Sequence, residues 1–150
     1  MQKKNNKTIV ICSSVSFYSQ VVEVQKQLKD LGFKVIVPLT VKKMVKSNDF
    51  RVETYKTWME RPEDYKRKAY LTKKHFAEVK KGDVALVLNY KKNGKNGYIG
   101  GAVLMEMAIA FYLKKPIYIL NPIDESSKYK EELCGMLPII LNGDLLKIKN

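Results

Sequence analysis

One carboxylate lies within an otherwise apolar stretch of the sequence, and this position makes it a candidate for chemistry. Glu106 is the only charged residue in the segment Ala102–Ala110. A carboxylate on an apolar helix is costly to bury unless it is paired or functional. Two interpretations are open: Glu106 is a functional carboxylate, or it caps the helix or pairs with a lysine such as Lys91. We favour the functional carboxylate, because strongly perturbed acids cluster at functional sites.

A glycine-rich segment, Tyr90–Gly101, leads into the helix that carries Glu106. It contains the pairs Asn93-Gly94, Asn96-Gly97 and Gly100-Gly101. Glycine lets the backbone approach a bound molecule closely. We therefore expect Tyr98, Gly100 and Gly101 to contact a substrate.

A second polar loop, Ser13-Ser14-Val15-Ser16-Phe17, follows the first apolar run of the sequence. Its three hydroxyls and its run of backbone N–H groups ahead of a helix suit a phosphate, a ribose or a carboxylate. The alternative is that one serine only caps the helix. We favour substrate binding by Ser13 and Ser14.

The sequence holds one histidine, His75, and two cysteines, Cys12 and Cys134. A single histidine is more often a packing or surface residue than an active one. The cysteines lie far apart and are expected to be free thiols. No ligand-spaced cluster is evident among Asp49, Asp64, Asp83, Asp124 and His75, so we predict neither a metal nor a cofactor.

The elements that would position these residues alternate between strand and helix. Continuous apolar runs typical of strands buried on both faces are Thr8–Cys12, Lys34–Pro38, Val84–Asn89 and Ile117–Leu120, with a fifth at Pro138–Leu141. Helices are predicted at Ser19–Leu31, from Pro62 to Lys80, at Ala102–Leu113 and at Ser126–Met136. This alternation predicts a single three-layer α/β domain over residues 1–150, flavodoxin-like or Rossmann-like. Its parallel sheet should have about five strands in the order 2-1-3-4-5.

Such a sheet binds ligands beyond the carboxyl ends of its strands, here between the loops after the first and third strands. The stretch Thr40–Arg61 is long for a connection and carries Phe50, Tyr55 and Trp58, which we expect to be exposed. Long connections are often lids or partner surfaces. A mobile, solvated excursion is the alternative.

The net charge of +13 comes almost entirely from lysine, with arginine only at Arg51, Arg61 and Arg67. The lysines are spread along the chain rather than clustered with aromatic residues, so binding of nucleic acid is not favoured. A basic field would still attract small phosphorylated molecules. No apolar run approaches the ~18 residues of a membrane span, and the basic start lacks a signal-peptide core, so we expect a cytoplasmic protein.

Three motifs together resemble the nucleoside 2-deoxyribosyltransferase superfamily, which includes the 2′-deoxynucleoside 5′-phosphate N-hydrolases. They are Cys12-Ser13-Ser14, then Gly97-Tyr98-Ile99-Gly100-Gly101 with Glu106-Met107-Ala108-Ile109-Ala110, and finally Lys114-Lys115-Pro116-Ile117. The resemblance covers most of Thr8–Leu120. The glutamate helix and its loop are the informative part of it, whereas the strands are generic.

The resemblance implies cleavage or transfer at the N-glycosidic bond of a nucleoside or nucleoside 5′-monophosphate. Glu106 matches the nucleophile that attacks C1′ of the sugar and forms a glycosyl-enzyme intermediate, which water or another base then resolves. Ser13 and Ser14 match the loop that contacts the substrate. The resemblance also implies a homodimer or larger assembly, and no cofactor.

Three positions depart from the family pattern. Ala108 stands where a glycine is usual, and Asn89 stands where relatives often carry an acid, from which it would hydrogen-bond a sugar hydroxyl. His75 lies eight residues before Asp83, where the family commonly has an aspartate that helps to protonate the leaving base. A histidine can donate that proton near neutral pH.

The change at His75 is also consistent with lost activity. A non-catalytic nucleotide-binding sensor of the same fold is therefore the main alternative to an enzyme. A basic nucleic-acid-binding protein is the less favoured one. Fold alone does not separate these functions.

Overall fold

The computed structural model describes residues 6–149, and a five-stranded parallel sheet lies at its centre. The strand order is β2-β1-β3-β4-β5, which confirms the predicted order. The strands are β1 (Thr8–Ser13), β2 (Lys34–Ile36), β3 (Val84–Leu88), β4 (Ile117–Ile119) and β5 (Ile139–Ile140). β1 and β3 form the longest pairing, with Ser13 opposite Leu88 at the end of the register. Their carboxyl ends therefore lie side by side.

Both faces of the sheet are covered, which explains why the central strands are continuously apolar. Along β1, Ile9 and Ile11 point into one apolar cluster, while Val10 and Cys12 point into the other. The first cluster includes Val21 and other residues of the first helix. The three layers of the predicted fold follow from these two clusters.

Six α-helices connect or follow the strands in the described part of the chain. They are α1 (Tyr18–Asp30), α2 (Leu39–Ser47), α3 (Val52–Tyr55), α4 (Tyr65–Lys81), α5 (Gly101–Tyr112) and α6 (Lys130–Gly135). Short 3-10 turns lie at Val15–Phe17, Pro62–Asp64 and Leu145–Lys147. After α1 the chain turns at Gly32, whose φ of 92° is disfavoured for other residues. α6 is shorter than the predicted helix Ser126–Met136.

The stretch Thr40–Arg61 is only in part a solvated excursion, because most of its residues are exposed but three of them are buried. Its first part is α2, which packs against α1 and α4 and whose Val41 and Met44 are fully buried. α2 ends at Asn48, which adopts the left-handed conformation with φ 53°. Trp58, expected to be exposed, is buried. The pattern was missed because the apolar residues of α2 are few and are separated by lysines.

No helix within residues 6–149 combines the length and the apolar character that crossing a membrane requires.

Candidate active site

A cavity of about 200 Å³ lies beyond the carboxyl ends of β1 and β3, at the predicted edge of the sheet. Five segments of the chain form its wall: the turn after β1, the start of α2 with the turn before it, the segment before the 3-10 turn at Pro62–Asp64, one side of α4, and the start of α5 with the loop before it. Of the residues predicted from sequence, the wall includes Ser13, Ser14, His75, Tyr98, Gly100, Gly101 and Glu106. Four separate motifs thus converge on one cavity.

Asn89 is the predicted site residue that the structure does not bring to the cavity wall. It is fully buried, and its side-chain amide is used by the loop after β4. Its Oδ1 accepts from the backbone N–H of Asn121 at 2.9 Å, and its Nδ2 donates to the Asn121 carbonyl at 2.8 Å. Instead of meeting a sugar hydroxyl, the Asn89 amide joins the loop after β3 to the loop after β4. We call this pair of hydrogen bonds the clamp with Asn121. Both hydrogen-bonding ends of the amide are satisfied within the protein.

Glu106 lies on the inner side of α5 and faces His75 of α4. Its side chain is 15% exposed, and its Oε2 lies 3.5 Å from Nε2 of His75. Neither atom has a hydrogen-bond partner among the described residues. An unsatisfied buried polar atom is rare in a folded protein and calls for an explanation.

Glu78 is a third polar side chain in contact with this pair, on the far side of His75 from Glu106. The sequence did not single it out. Its Oε2 lies 3.1 Å from Nδ1 of His75, one helical turn away on α4, and both side chains are buried. The contact leaves Nε2 as the histidine nitrogen that faces Glu106. The spacing of His75 and Glu78, three residues apart on one helix and next to the buried Val79, was the available signal.

The surroundings shift the pKa values of both His75 and Glu106. Burial raises the pKa of Glu106, and the neighbouring His75 and Cys12 side chains offset this only in part. Burial alone would lower the pKa of His75. The hydrogen bond with Glu78 and the charge of Glu106 outweigh burial, and the pKa of His75 is raised. A histidine with a raised pKa beside a carboxylate is suited to hold a proton near neutral pH.

Cys12 adds a buried thiol to the same cluster. It lies at the end of β1 with no solvent exposure, and its sulfur is close to the Glu106 carboxylate and the His75 ring. Burial, followed by the negative charge of Glu106, raises the pKa of the Cys12 thiol well above its usual range. The Cys12 side chain is therefore a protonated, neutral thiol.

Ser14 caps the 3-10 turn after β1 and also lines the cavity. Its Oγ accepts from the backbone N–H of Ser16 at 3.4 Å, which is the helix-capping interaction. The same Oγ accepts from Nζ of Lys92 at 3.4 Å, and Ser14 also lines the cavity. Ser13 directs its hydroxyl to the backbone carbonyl of Ser14 at 3.0 Å.

Gly100 is required by the close packing of Tyr98. A Cβ atom at Gly100 would lie 2.9 Å from the Tyr98 hydroxyl oxygen, closer than real Cβ contacts allow. Lys92 sits 4.9 Å from the centre of the Tyr98 ring, and Phe17 packs edge-on against that ring. The absence of a side chain at Gly100 therefore leaves room for the Tyr98 ring in the cavity wall.

The outer wall of the cavity is basic, which the sequence analysis did not localise. Lys56, Lys68 and Lys74 line it, and among residues 6–149 Glu106 is the only acid in the cavity wall. Nζ of Lys68 lies 5.4 Å from the centre of the Trp58 ring. Burial lowers the pKa of Lys68; the negative charge of Glu106 opposes this shift, and the positive charge of Lys56 adds to it.

Comparison with solved structures gives a likeness at the level of the fold. No protein-family model matches this chain, and no curated protein matches it. Among solved structures, the chain is similar to a 2-deoxyribosyltransferase from the psychrotolerant bacterium Bacillus psychrosaccharolyticus, described as a biocatalyst for the synthesis of antiviral and antitumoral nucleosides. The TM-score is 0.52 at 17% identity, over 82% of this chain and 78% of the other. The chain has the fold of that transferase.

Proposed function

We propose that this protein cleaves or transfers at the N-glycosidic bond of a nucleoside or nucleoside 5′-monophosphate, with Glu106 as the nucleophile. The observation that carries the proposal is the Glu106 carboxylate in the cavity wall, facing His75. The cavity lies at the sheet edge where ligands bind in this class of fold. The fold likeness to a 2-deoxyribosyltransferase supports the same chemistry.

In the first step, an oxygen of Glu106 attacks C1′ of the sugar while the bond from C1′ to the base nitrogen breaks. The electron pair of that bond goes to the base, which accepts a proton from Nε2 of His75. Nδ1 of His75 is held by Glu78, so Nε2 is the nitrogen that serves as the acid. The product is a glycosyl ester on Glu106 and a free base.

In the second step, water or the nitrogen of another base attacks C1′, and the Glu106 carboxylate leaves. The attacking group loses a proton, which the now neutral His75 takes up. This returns both side chains to their starting protonation states. Covalent catalysis of this kind divides one difficult displacement into two easier ones.

The basic wall favours a phosphorylated substrate over a plain nucleoside. Lys56, Lys68 and Lys74 line the cavity together with Glu106. A 5′-phosphate beside these lysines would gain charge-assisted hydrogen bonds while C1′ reaches Glu106. A cavity of about 200 Å³ suits one small molecule better than a nucleic-acid strand.

The non-catalytic sensor is kept as a second candidate because of one observation. Glu106 faces His75, whose pKa is raised. A positively charged His75 offsets the negative charge with which the Glu106 carboxylate would attack C1′. Incubation of the purified chain with a panel of nucleosides and 5′-nucleotides, followed by chromatography for free base, separates the two. Base release supports the enzyme, whereas tight binding without base release supports the sensor.

We also propose a homodimer formed through the outer face of α5. This face is apolar, and its residues Ala102, Met105, Ala108, Phe111 and Tyr112 are exposed. Exposed apolar patches of this kind mark interaction surfaces. Light scattering should give a dimer mass for the natural chain and a monomer mass for Met105→Glu. Met59→Glu, at an exposed methionine outside α5, is the control and should leave the dimer intact.

A further inference from the structure

A thiol, an imidazole and a carboxylate from three different elements meet beside the cavity, whose wall includes the imidazole and the carboxylate. They belong to Cys12 on β1, His75 on α4 and Glu106 on α5, and their ligand atoms all lie within 4.8 Å of one another. Cys12 and His75 are buried, and Glu106 is largely so. The sequence predicted no metal site because these residues are far apart along the chain.

The distance between His75 and Glu106 fits two ligands of one cation better than it fits a hydrogen bond. Nε2 and Oε2 are 3.5 Å apart, and neither atom has a hydrogen-bond partner within the described chain. An N–H···O hydrogen bond spans about 2.7–3.2 Å. Zinc–ligand bonds of about 2.0–2.2 Å at the tetrahedral angle place a nitrogen and an oxygen ligand about 3.4 Å apart. The observed spacing is close to that value.

Glu78 prepares His75 for this role. Its carboxylate lies 3.1 Å from Nδ1 and accepts a hydrogen bond from the N–H of that nitrogen, so that Nε2, once it has lost its own proton, directs its lone pair at Glu106 and Cys12. A carboxylate that orients a histidine in this way is the usual support of a zinc ligand, and it makes the ligating nitrogen more basic.

We propose that Cys12, His75 and Glu106 bind a zinc ion, with the fourth coordination position open to the cavity. Binding breaks the S–H bond of Cys12 and the N–H bond at Nε2 of His75, and both protons pass to solvent. One thiolate and one carboxylate then balance the two charges of the cation. The thiolate selects zinc over magnesium or calcium, which prefer oxygen ligands. Three protein ligands and one open position are typical of a zinc site that exchanges water for another ligand.

Zinc and a sugar at C1′ compete for the same carboxylate oxygens of Glu106. Zinc therefore inhibits base release, and a chelator restores it. This consequence rests on the proposed function, whereas the metal site itself does not. The site is best tested by a measurement that needs no substrate.

Cobalt(II) is a suitable probe, because it replaces zinc and gives an intense thiolate-to-cobalt charge-transfer band when a cysteine binds it. The working protein is the full chain with Cys134→Ser, in which Cys12 is the remaining thiol. Cys134 is exposed, so the replacement leaves the core unchanged. We expect one cobalt ion per chain, a charge-transfer band, and loss of the band when zinc is added. Absence of the band at saturating cobalt overturns the proposal.

Two further variants are made in the Cys134→Ser chain. One tests Glu106 as a ligand, and the other tests Glu78 as the residue that orients His75. Glu106→Gln removes the carboxylate and should weaken cobalt binding at least tenfold. Glu78→Gln keeps all three ligands and should weaken it about tenfold through the orientation of His75. Unchanged affinity in a Glu106→Gln chain with normal circular dichroism would exclude Glu106 as a ligand and overturn the proposed set. Cobalt binding without base release from any substrate would leave the metal site standing and reject only the enzyme.

Discussion

Two groups of buried polar side chains lie near the same edge of the sheet, and they differ in whether their hydrogen bonds are complete. Asn89, at the end of β3, is fully buried and uses both ends of its amide in the clamp with Asn121. His75 and Glu106 are also withdrawn from solvent, yet Nε2 and Oε2 face each other without a hydrogen bond. A completed set of bonds stabilises one loop arrangement. An incomplete set leaves atoms available to a substrate or a cation.

Under the proposed function, His75 and Glu106 serve catalysis, whereas Asn89 serves stability. Four substitutions test this division. All activity measurements below are made with a chelator present, so that zinc does not occupy Glu106.

The largest effect is expected at Glu106. Glu106→Gln preserves the shape of the side chain and removes the nucleophile, so turnover should fall by about three decades or more. The quantity to measure is the rate of base release from a 5′-nucleotide. The fold should survive, because no buried charge loses its only partner, and circular dichroism checks this. Base release near the natural rate from a folded variant rejects the covalent mechanism.

The second effect is expected at His75. His75→Gln removes the acid that protonates the leaving base, which should cost about two decades of turnover. The loss should shrink for a substrate whose base is a better leaving group, since such a base needs less protonation. Comparing the two substrates distinguishes an acid from a residue that only packs. An equal loss on both substrates would assign His75 a structural role.

The third effect is one of stability, and it is expected at Asn89. Asn89→Ala leaves the N–H and carbonyl of Asn121 without partners, which should lower the free energy of unfolding by about 2 kcal/mol. Urea denaturation measures this, with Asn96→Ala at an exposed loop position as the control. Turnover per folded molecule should change little. A turnover loss as large as that of His75→Gln would return Asn89 to the substrate site.

The smallest effect is expected at the basic wall. Lys56→Ala should raise KM for a nucleoside 5′-monophosphate about fivefold, roughly 1 kcal/mol, through one lost charge-assisted contact. KM for the matching nucleoside should not change. Lys26→Ala, at an exposed position on α1, controls for the general loss of positive charge. Equal changes for nucleotide and nucleoside would show that the wall does not bind a phosphate.

The sequence predicted the sheet well because its signal is local. Each central strand is a continuous apolar run, and Gly32 ends the first helical segment where the second strand begins. Glu106 and the loops that hold Ser14 and Gly100 were found for a related reason. They follow strands in a fold whose ligands bind at strand ends, so their place in the chain predicts their place in space.

The remaining features depend on contacts between distant parts of the chain. Asn89 was predicted to meet a substrate, but its partner Asn121 follows the next strand, and no local pattern reveals that pairing. Cys12 was treated as an ordinary thiol because its proximity to His75 and Glu106 arises only when β1, α4 and α5 pack together. Trp58 was expected to be exposed, since its burial requires the neighbouring α4, including Lys68.

The burial of Trp58 has a practical consequence for spectroscopy. It is the only tryptophan in the sequence, it lines the cavity, and the ammonium of Lys68 and the guanidinium of Arg67 lie over its ring. Indole emission responds to nearby charge and to hydration. The intrinsic fluorescence of the unlabelled chain therefore comes from a single reporter at the mouth of the cavity, and a titration followed at that wavelength records occupancy directly, even for a molecule that never reacts.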